Sequence, residues 1–215
     1  MCFSANVSLI TFLIGITGSA LCFKVGTVEY KIIGMFFAFI VLMQLVEYLL
    51  WKHQICDTYN KNLTRLALLI NHLQPIILVA CIFLFNKENV SPKMIWLLVF
   101  YTVVISLYSF KFLKSGSCTM KSNTSGNSHL IWKWNILDHA DIIYAIFLIS
   151  LMLIGIWGFP TKSSGILFAL LCFFSFMFSR FIYGKQNVVG AMWCFFAAFI
   201  PIFYLVKHFK LFFFD

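Results

Sequence analysis

The chain has 215 residues, of which 62% are hydrophobic and 11% charged, and its mean hydropathy is +0.94. Soluble domains carry about a quarter charged residues, so this composition excludes a water-soluble globular fold and implies a protein embedded in a lipid bilayer. The net charge of +9 comes from 16 lysines and arginines that stand singly near the ends of apolar runs; they read as membrane flanks, and no nucleic-acid partner is expected.

A helix rising ~1.5 Å per residue needs about 20 apolar residues to cross a ~30 Å hydrocarbon layer. Seven stretches qualify, at about 5–23, 32–52, 64–85, 94–113, 136–158, 165–183 and 188–206. The expected fold is therefore all-α: a single polytopic domain over 1–215, a seven-helix transmembrane bundle with short connections. Residues of about 114–135, rich in Ser, Thr, Gly, Asn and Lys, read as a flexible loop between a group of four helices and a group of three. No basic region precedes the first stretch and no small-residue cleavage site follows it, so it is expected to remain as a span.

In the first stretch Ser4, Ser8, Thr11, Gly15, Gly18, Ser19 and Cys22 fall on one stripe at 100° per residue. Small residues let helix backbones approach closely, so this face is expected to pack on another helix. Gly190, Cys194, Ala197 and Pro201 repeat the device in the last stretch. Phe36, Phe37, Phe39, Phe173, Phe174 and Phe176 read as lipid-facing or gap-filling side chains.

The second stretch carries Gln44, Glu47 and Trp51 at i, i+3 and i+7, one face of a helix. Glu47 stands in an otherwise uncharged run; an ionisable group at membrane depth costs several kcal/mol unless partnered, and by default marks a functional site. The third stretch carries Asn71, His72, Gln74 and Pro75, and Pro75 removes one rung of the helix ladder. The loop between these two stretches is short, which makes Glu47 and His72 plausible neighbours. A carboxylate beside an imidazole could relay a proton, bind a metal or act as acid and base. Equally, the pair could be a buried hydrogen-bonded contact that only fixes helix packing.

The fifth stretch opens with Trp132, Trp134, Asp138, His139 and Asp141. The tryptophans read as an interfacial belt, Asp138 as helix-end solvation, and His139 with Asp141 as a secondary polar site. Arg180 and Tyr183 are expected to snorkel to the headgroups. The seven cysteines, at 2, 22, 56, 81, 118, 172 and 194, show no CxxC spacing and mostly lie in apolar runs, so neither a disulfide framework nor a zinc finger is expected. Cys2, as a terminal residue after methionine removal, could join Glu47 and His72 around a divalent metal, or be an ordinary cysteine.

Charge orients the bundle weakly. With seven spans, the N-terminal side carries Lys52, Lys61, Arg65, Lys111, Lys114, Lys121, Lys133, Arg180 and Lys185, nine in all. The other side carries seven: Lys24, Lys31, Lys87, Lys93, Lys162, Lys207 and Lys210. That favours a cytoplasmic N-terminus, although the three Asn-X-Ser/Thr sequons, at Asn6, Asn62 and Asn123, lie on the same side, and a glycan there would argue the opposite.

MetCysPheSerAla at 1–5, Gln44-X-X-Glu47-X-X-X-Trp51, His72-X-Gln74-Pro75 and GlyAlaMetTrpCysPhePheAlaAla at 190–198 together resemble an uncharacterised family of small multi-span proteins of bacteria and large DNA viruses, marked by the MetCysPheSer start. The resemblance implies that Cys2, Ser4, Gln44, Glu47, Trp51, His72, Gln74, Trp193 and Cys194 form one site, in a viral or host membrane, and it brings no known activity. No retinal is expected, because the last stretch, 188–206, holds no lysine. The leading expectation is a polar site within the membrane that binds or conducts a proton, an ion or a small polar solute. The alternatives are a metal-assisted or redox enzyme using Cys2, His72 and His139, and a structural membrane component; the oligomeric state is left open.

Overall fold

The computed structural model describes residues 4–122, 129–136, 139–183 and 189–209. These form nine α-helices and one two-stranded hairpin. Helix α1 (Ala5–Val25) is followed by α2 (Val28–Lys52), α3 (Thr58–His72), α4 (Gln74–Phe85) and α5 (Pro92–Ser115). Strands β1 (Met120–Lys121) and β2 (Leu130–Ile131) come next, then α6 (Ala140–Gly158), α7 (Lys162–Tyr183), α8 (Val189–Ala197) and α9 (Ile200–His208). The all-α bundle expected from hydropathy is what forms, and each of the seven apolar stretches coincides with helix.

Two of the stretches are broken. The third is the pair α3 and α4, bent by 56° at Leu73. Pro75 sits in the first turn of α4, where its missing N–H costs nothing. The break exposes the His72 carbonyl, and the Tyr101 hydroxyl of α5 donates to it at 2.7 Å, which is how an interrupted ladder is satisfied at membrane depth. The seventh stretch is α8 and α9, which part just before Pro201 in the first turn of α9. By length and apolarity five helices, or six with the bent α3–α4 pair, are candidate spans among the described residues; α8–α9 is a shorter apolar unit.

Polar contacts cluster at two opposite ends of the bundle. At one end, which holds the start of α1 and the end of α2, Arg180 of α7 meets Asp141 of α6 at 3.3 Å. At the other, Glu29 of α2 accepts from the Ser164 hydroxyl of α7 at 2.7 Å and pairs with Lys207 of α9 at 3.7 Å. There too the Tyr30 hydroxyl donates to the Tyr204 carbonyl (2.9 Å), and Asn86 and Asn89 donate to the Gly158 and Phe159 carbonyls. Lys207 reaches the same end as Glu29, so the short α8–α9 unit ends where α2 begins.

The α1 stripe is buried at Ser8, Thr11, Gly15, Gly18, Ser19 and Cys22. A β-carbon at Gly34 of α2 would lie 2.6 Å from the Ser19 carbonyl oxygen and 2.8 Å from the Phe23 nitrogen. One at Gly18 would meet Pro201 at 3.3 Å, and the Cys22 thiol donates to the Pro201 carbonyl. The stripe thus wedges α1 between α2 and the α8–α9 unit. The phenylalanines divide: Phe36 and Phe37 are fully buried and Phe176 nearly so, whereas Phe174 is 63% exposed. With Phe178, Phe196 and Phe203 it borders an apolar groove of about 710 Å³ between α7 and α8–α9.

Three expectations are corrected at the α5–α6 connection. Its described part is not a loose loop but a tethered hairpin. Cys118 is disulfide-bonded to Cys56 in the α2–α3 loop, with Cα atoms 5.6 Å apart, although no disulfide was expected. Spacing rules could not reveal this pair, because its partners are 62 residues apart and only the fold brings them together. Beside the bond, the buried Asn60 amide donates to the His53 and Thr119 carbonyls, both at 3.1 Å. The Thr119 N–H donates in turn to Asn60 Oδ1 and Thr64 Oγ1, and the Lys121 N–H to Gln54 Oε1. Trp132 and Trp134 are likewise no outer belt. They are 0% and 1% exposed, pack together at 4.5 Å, and Trp134 lies edge-on to Phe112 of α5.

Candidate functional site

Buried polar side chains gather where α2, the α3–α4 break, α5, α6 and α8 meet. Gln44, Glu47, Asn71 and Gln74 are fully buried, and His72 is 4% exposed. The break matters here, since it ends α3 at His72 and starts α4 at Gln74, so neighbouring residues point to different helices. Gln74 turns to α8: the Trp193 indole N–H donates to Gln74 Oε1 at 2.9 Å, and Gln74 Nε2 approaches the Cys194 sulfur at 3.5 Å. The Cys194 thiol points to Asn71 Oδ1 at 3.9 Å, and Asn71 Nδ2 donates to the Tyr144 hydroxyl of α6 at 3.5 Å. Trp193, Gln74, Cys194, Asn71 and Tyr144 therefore form one chain of contacts linking α8, the break and α6.

Glu47 lies close enough to Cys194 to act on the thiol electrostatically. It stands five residues before the end of α2, about 8 Å at 1.5 Å per residue, so the cluster lies in the half of the bundle nearer the hairpin. His72 turns instead to α5. Its Nδ1 is 3.1 Å from the Ser109 hydroxyl and its ring meets Tyr108 edge-on at 5.8 Å; Tyr108 donates to the Trp134 carbonyl, just past β2. The described contacts of His72, which was expected to titrate together with Glu47, run to α5.

Gln44 has neither amide nitrogen nor amide oxygen hydrogen-bonded to any described residue, and His72 Nε2 and Trp51 Nε1 are likewise buried without a hydrogen-bond partner. Ser4 has a local task, as its hydroxyl accepts from the Val7 N–H and caps α1. Cys2 lies outside the described residues, as does Asp138. His139 and Asp141, expected as a secondary site, are on the exterior at the start of α6, with Asp141 81% exposed and paired to Arg180. That pairing engages Arg180, which was expected to snorkel to the headgroups and is 45% exposed.

Among the described residues no group of three or more His, Cys, Asp and Glu could hold a metal ion. The residues that sequence reasoning missed are Tyr101, Tyr108, Ser109 and Tyr144. The first three stood in view as polar groups at helical spacing in an apolar stretch; Tyr144 offered only its hydroxyl in a run of aliphatics.

Comparison of the chain with protein-family models finds no match, and neither does comparison with characterised proteins or with solved structures.

Proposed function

We propose that this integral membrane protein binds a small hydrogen-bonding solute, or passes one or a proton across the bilayer, at the cluster around Gln44, Glu47, Gln74 and Cys194. The observation that carries the reading is Gln44. A primary amide left unpaired in a protein interior costs about 1–3 kcal/mol per group, and natural sequences rarely keep such groups without a use. Its donor and its acceptor suit a partner that both accepts and donates, as water, a hydrated proton or a neutral polar solute does. Glu47 supplies the titratable group beside it, and Trp51 and Trp193 wall the site. The resemblance to the MetCysPheSer proteins brings no activity with it, so the site supports the reading alone.

Purified protein in liposomes loaded with a pH-sensitive dye tests it. Gln44→Leu and Glu47→Gln are each expected to lower proton flux after a pH jump at least ~10-fold, about 1.4 kcal/mol. Gln44→Leu should meanwhile keep or raise the melting temperature, because it removes an unpaired buried amide. Unchanged flux in both variants, together with a raised melting temperature, would assign the cluster to packing alone.

A further inference from the structure

We infer that the end of the bundle bearing the Cys56–Cys118 disulfide, and with it the start of α1, faces an oxidising compartment rather than the cytosol. Disulfides persist where thiols are not continuously reduced, and cytosolic thiol pools reduce accessible ones. Cys56 lies in an exposed loop, where a soluble reductant could reach it. The free cysteines among the described residues, Cys22, Cys81, Cys172 and Cys194, are buried in helices, so among the described residues the bonded pair is the one placed in the connections. Forming the bond removes two electrons and two protons from the two thiols. An oxidised dithiol catalyst of that compartment takes the electrons by thiol–disulfide exchange and is itself reduced.

The fold prepares the pair. Asn60 and Thr64 hold Thr119, the neighbour of Cys118, against the start of α3, and Gln54 holds Lys121. The two sulfurs are thereby brought together by hydrogen bonds that do not depend on the redox state. The Lys and Arg balance points the other way by nine to seven. That margin is two charges, and one of the nine, Arg180, is paired with Asp141.

Thr27 gives a reporter at the opposite end: it is exposed, and its side chain makes no capping hydrogen bond. In a Cys2→Ser background with the native disulfide, Thr27→Cys is inserted into sealed endoplasmic-reticulum microsomes and treated with a membrane-impermeant polyethylene-glycol maleimide. The reporter should be modified without detergent, while Cys56 and Cys118 should react only after detergent and reductant together. Protection of the reporter until detergent is added would overturn the inference. So would reaction of Cys56 and Cys118 in sealed, unreduced vesicles. Neither result bears on solute flux, so the orientation and the proposed function stand or fall separately.

Discussion

Asp57 shows how one side chain fixes a junction. It caps α3, its Oδ1 accepting from the Asn60 N–H at 2.9 Å, while its Oδ2 lies 2.9 Å from His53 Nε2. The ionised carboxylate can only accept, so His53 Nε2 carries the hydrogen. The hydrogen bond from the Asn60 N–H, followed by that from His53, holds the Asp57 carboxyl below its ordinary value. A depressed carboxyl pKa contributes stability that is fully present above the unfolded-state value, about 3.9, and lost as pH falls through the folded-state value. Asp57→Ala should therefore lower the melting temperature at pH 7, and the gap to the wild type should close in acid below about pH 4; a pH series of thermal scans in detergent checks this. Trp193→Phe keeps an aromatic ring but removes the donor to Gln74 Oε1. The expected cost is about 1–3 kcal/mol, the penalty of an orphaned buried acceptor, read from thermal unfolding; no change would mean that Gln74 finds another donor.

At the scale of the helix, close approach is the organising device. The α1 stripe was legible from spacing alone, because a 100° repeat of Ser, Thr, Gly and Cys in an apolar helix has little other use than contact. Which helix it meets was not legible. Gly34 supplies the answer, lying against α1 main-chain atoms that cannot swing aside. Gly34→Ala should therefore destabilise by about 1–3 kcal/mol through forced separation of α1 and α2, whereas Ala at Gly18, whose nearest neighbour would be a side-chain atom at 3.3 Å, should cost less. Melting temperatures of the two variants decide the order. Pro75 shows the same division. Its effect on the ladder could be read from sequence, but the 56° bend and the Tyr101 hydroxyl that answers it belong to the assembled bundle.

Across the whole molecule the two ends behave differently. The end with Glu29 is joined by side chains that reach between helices, while the opposite end is closed by a hairpin stapled across 62 residues. The segment just past the hairpin reaches His72 through α5, since Trp134 lies edge-on to Phe112 and its carbonyl accepts from the Tyr108 hydroxyl, whose ring meets His72. Cys56→Ser should cost about 2–4 kcal/mol, the usual worth of a natural disulfide. Asn60 and Thr64 should nevertheless keep the hairpin in place below the new melting temperature. Limited proteolysis after Lys121 with and without reductant tests this: rapid cleavage of the reduced protein in the cold would show that the disulfide alone holds the hairpin.

Hydropathy and period determined that this protein is an all-α polytopic bundle, where its apolar stretches lie and which face of α1 is buried, because these follow from the transfer of side chains out of water and from the 3.6-residue turn. Gln44, Glu47, His72 and Gln74 could be recognised as anomalous for the same reason: polar groups are costly in oil wherever their helices end up. The tertiary structure alone decided that Gln74 turns to Trp193 and His72 to Ser109, that Cys56 meets Cys118, and that the described part of a Ser- and Gly-rich connection is held in place. Those outcomes depend on contacts between residues far apart in the chain, and no local pattern records which distant partner the packing will bring within bonding distance.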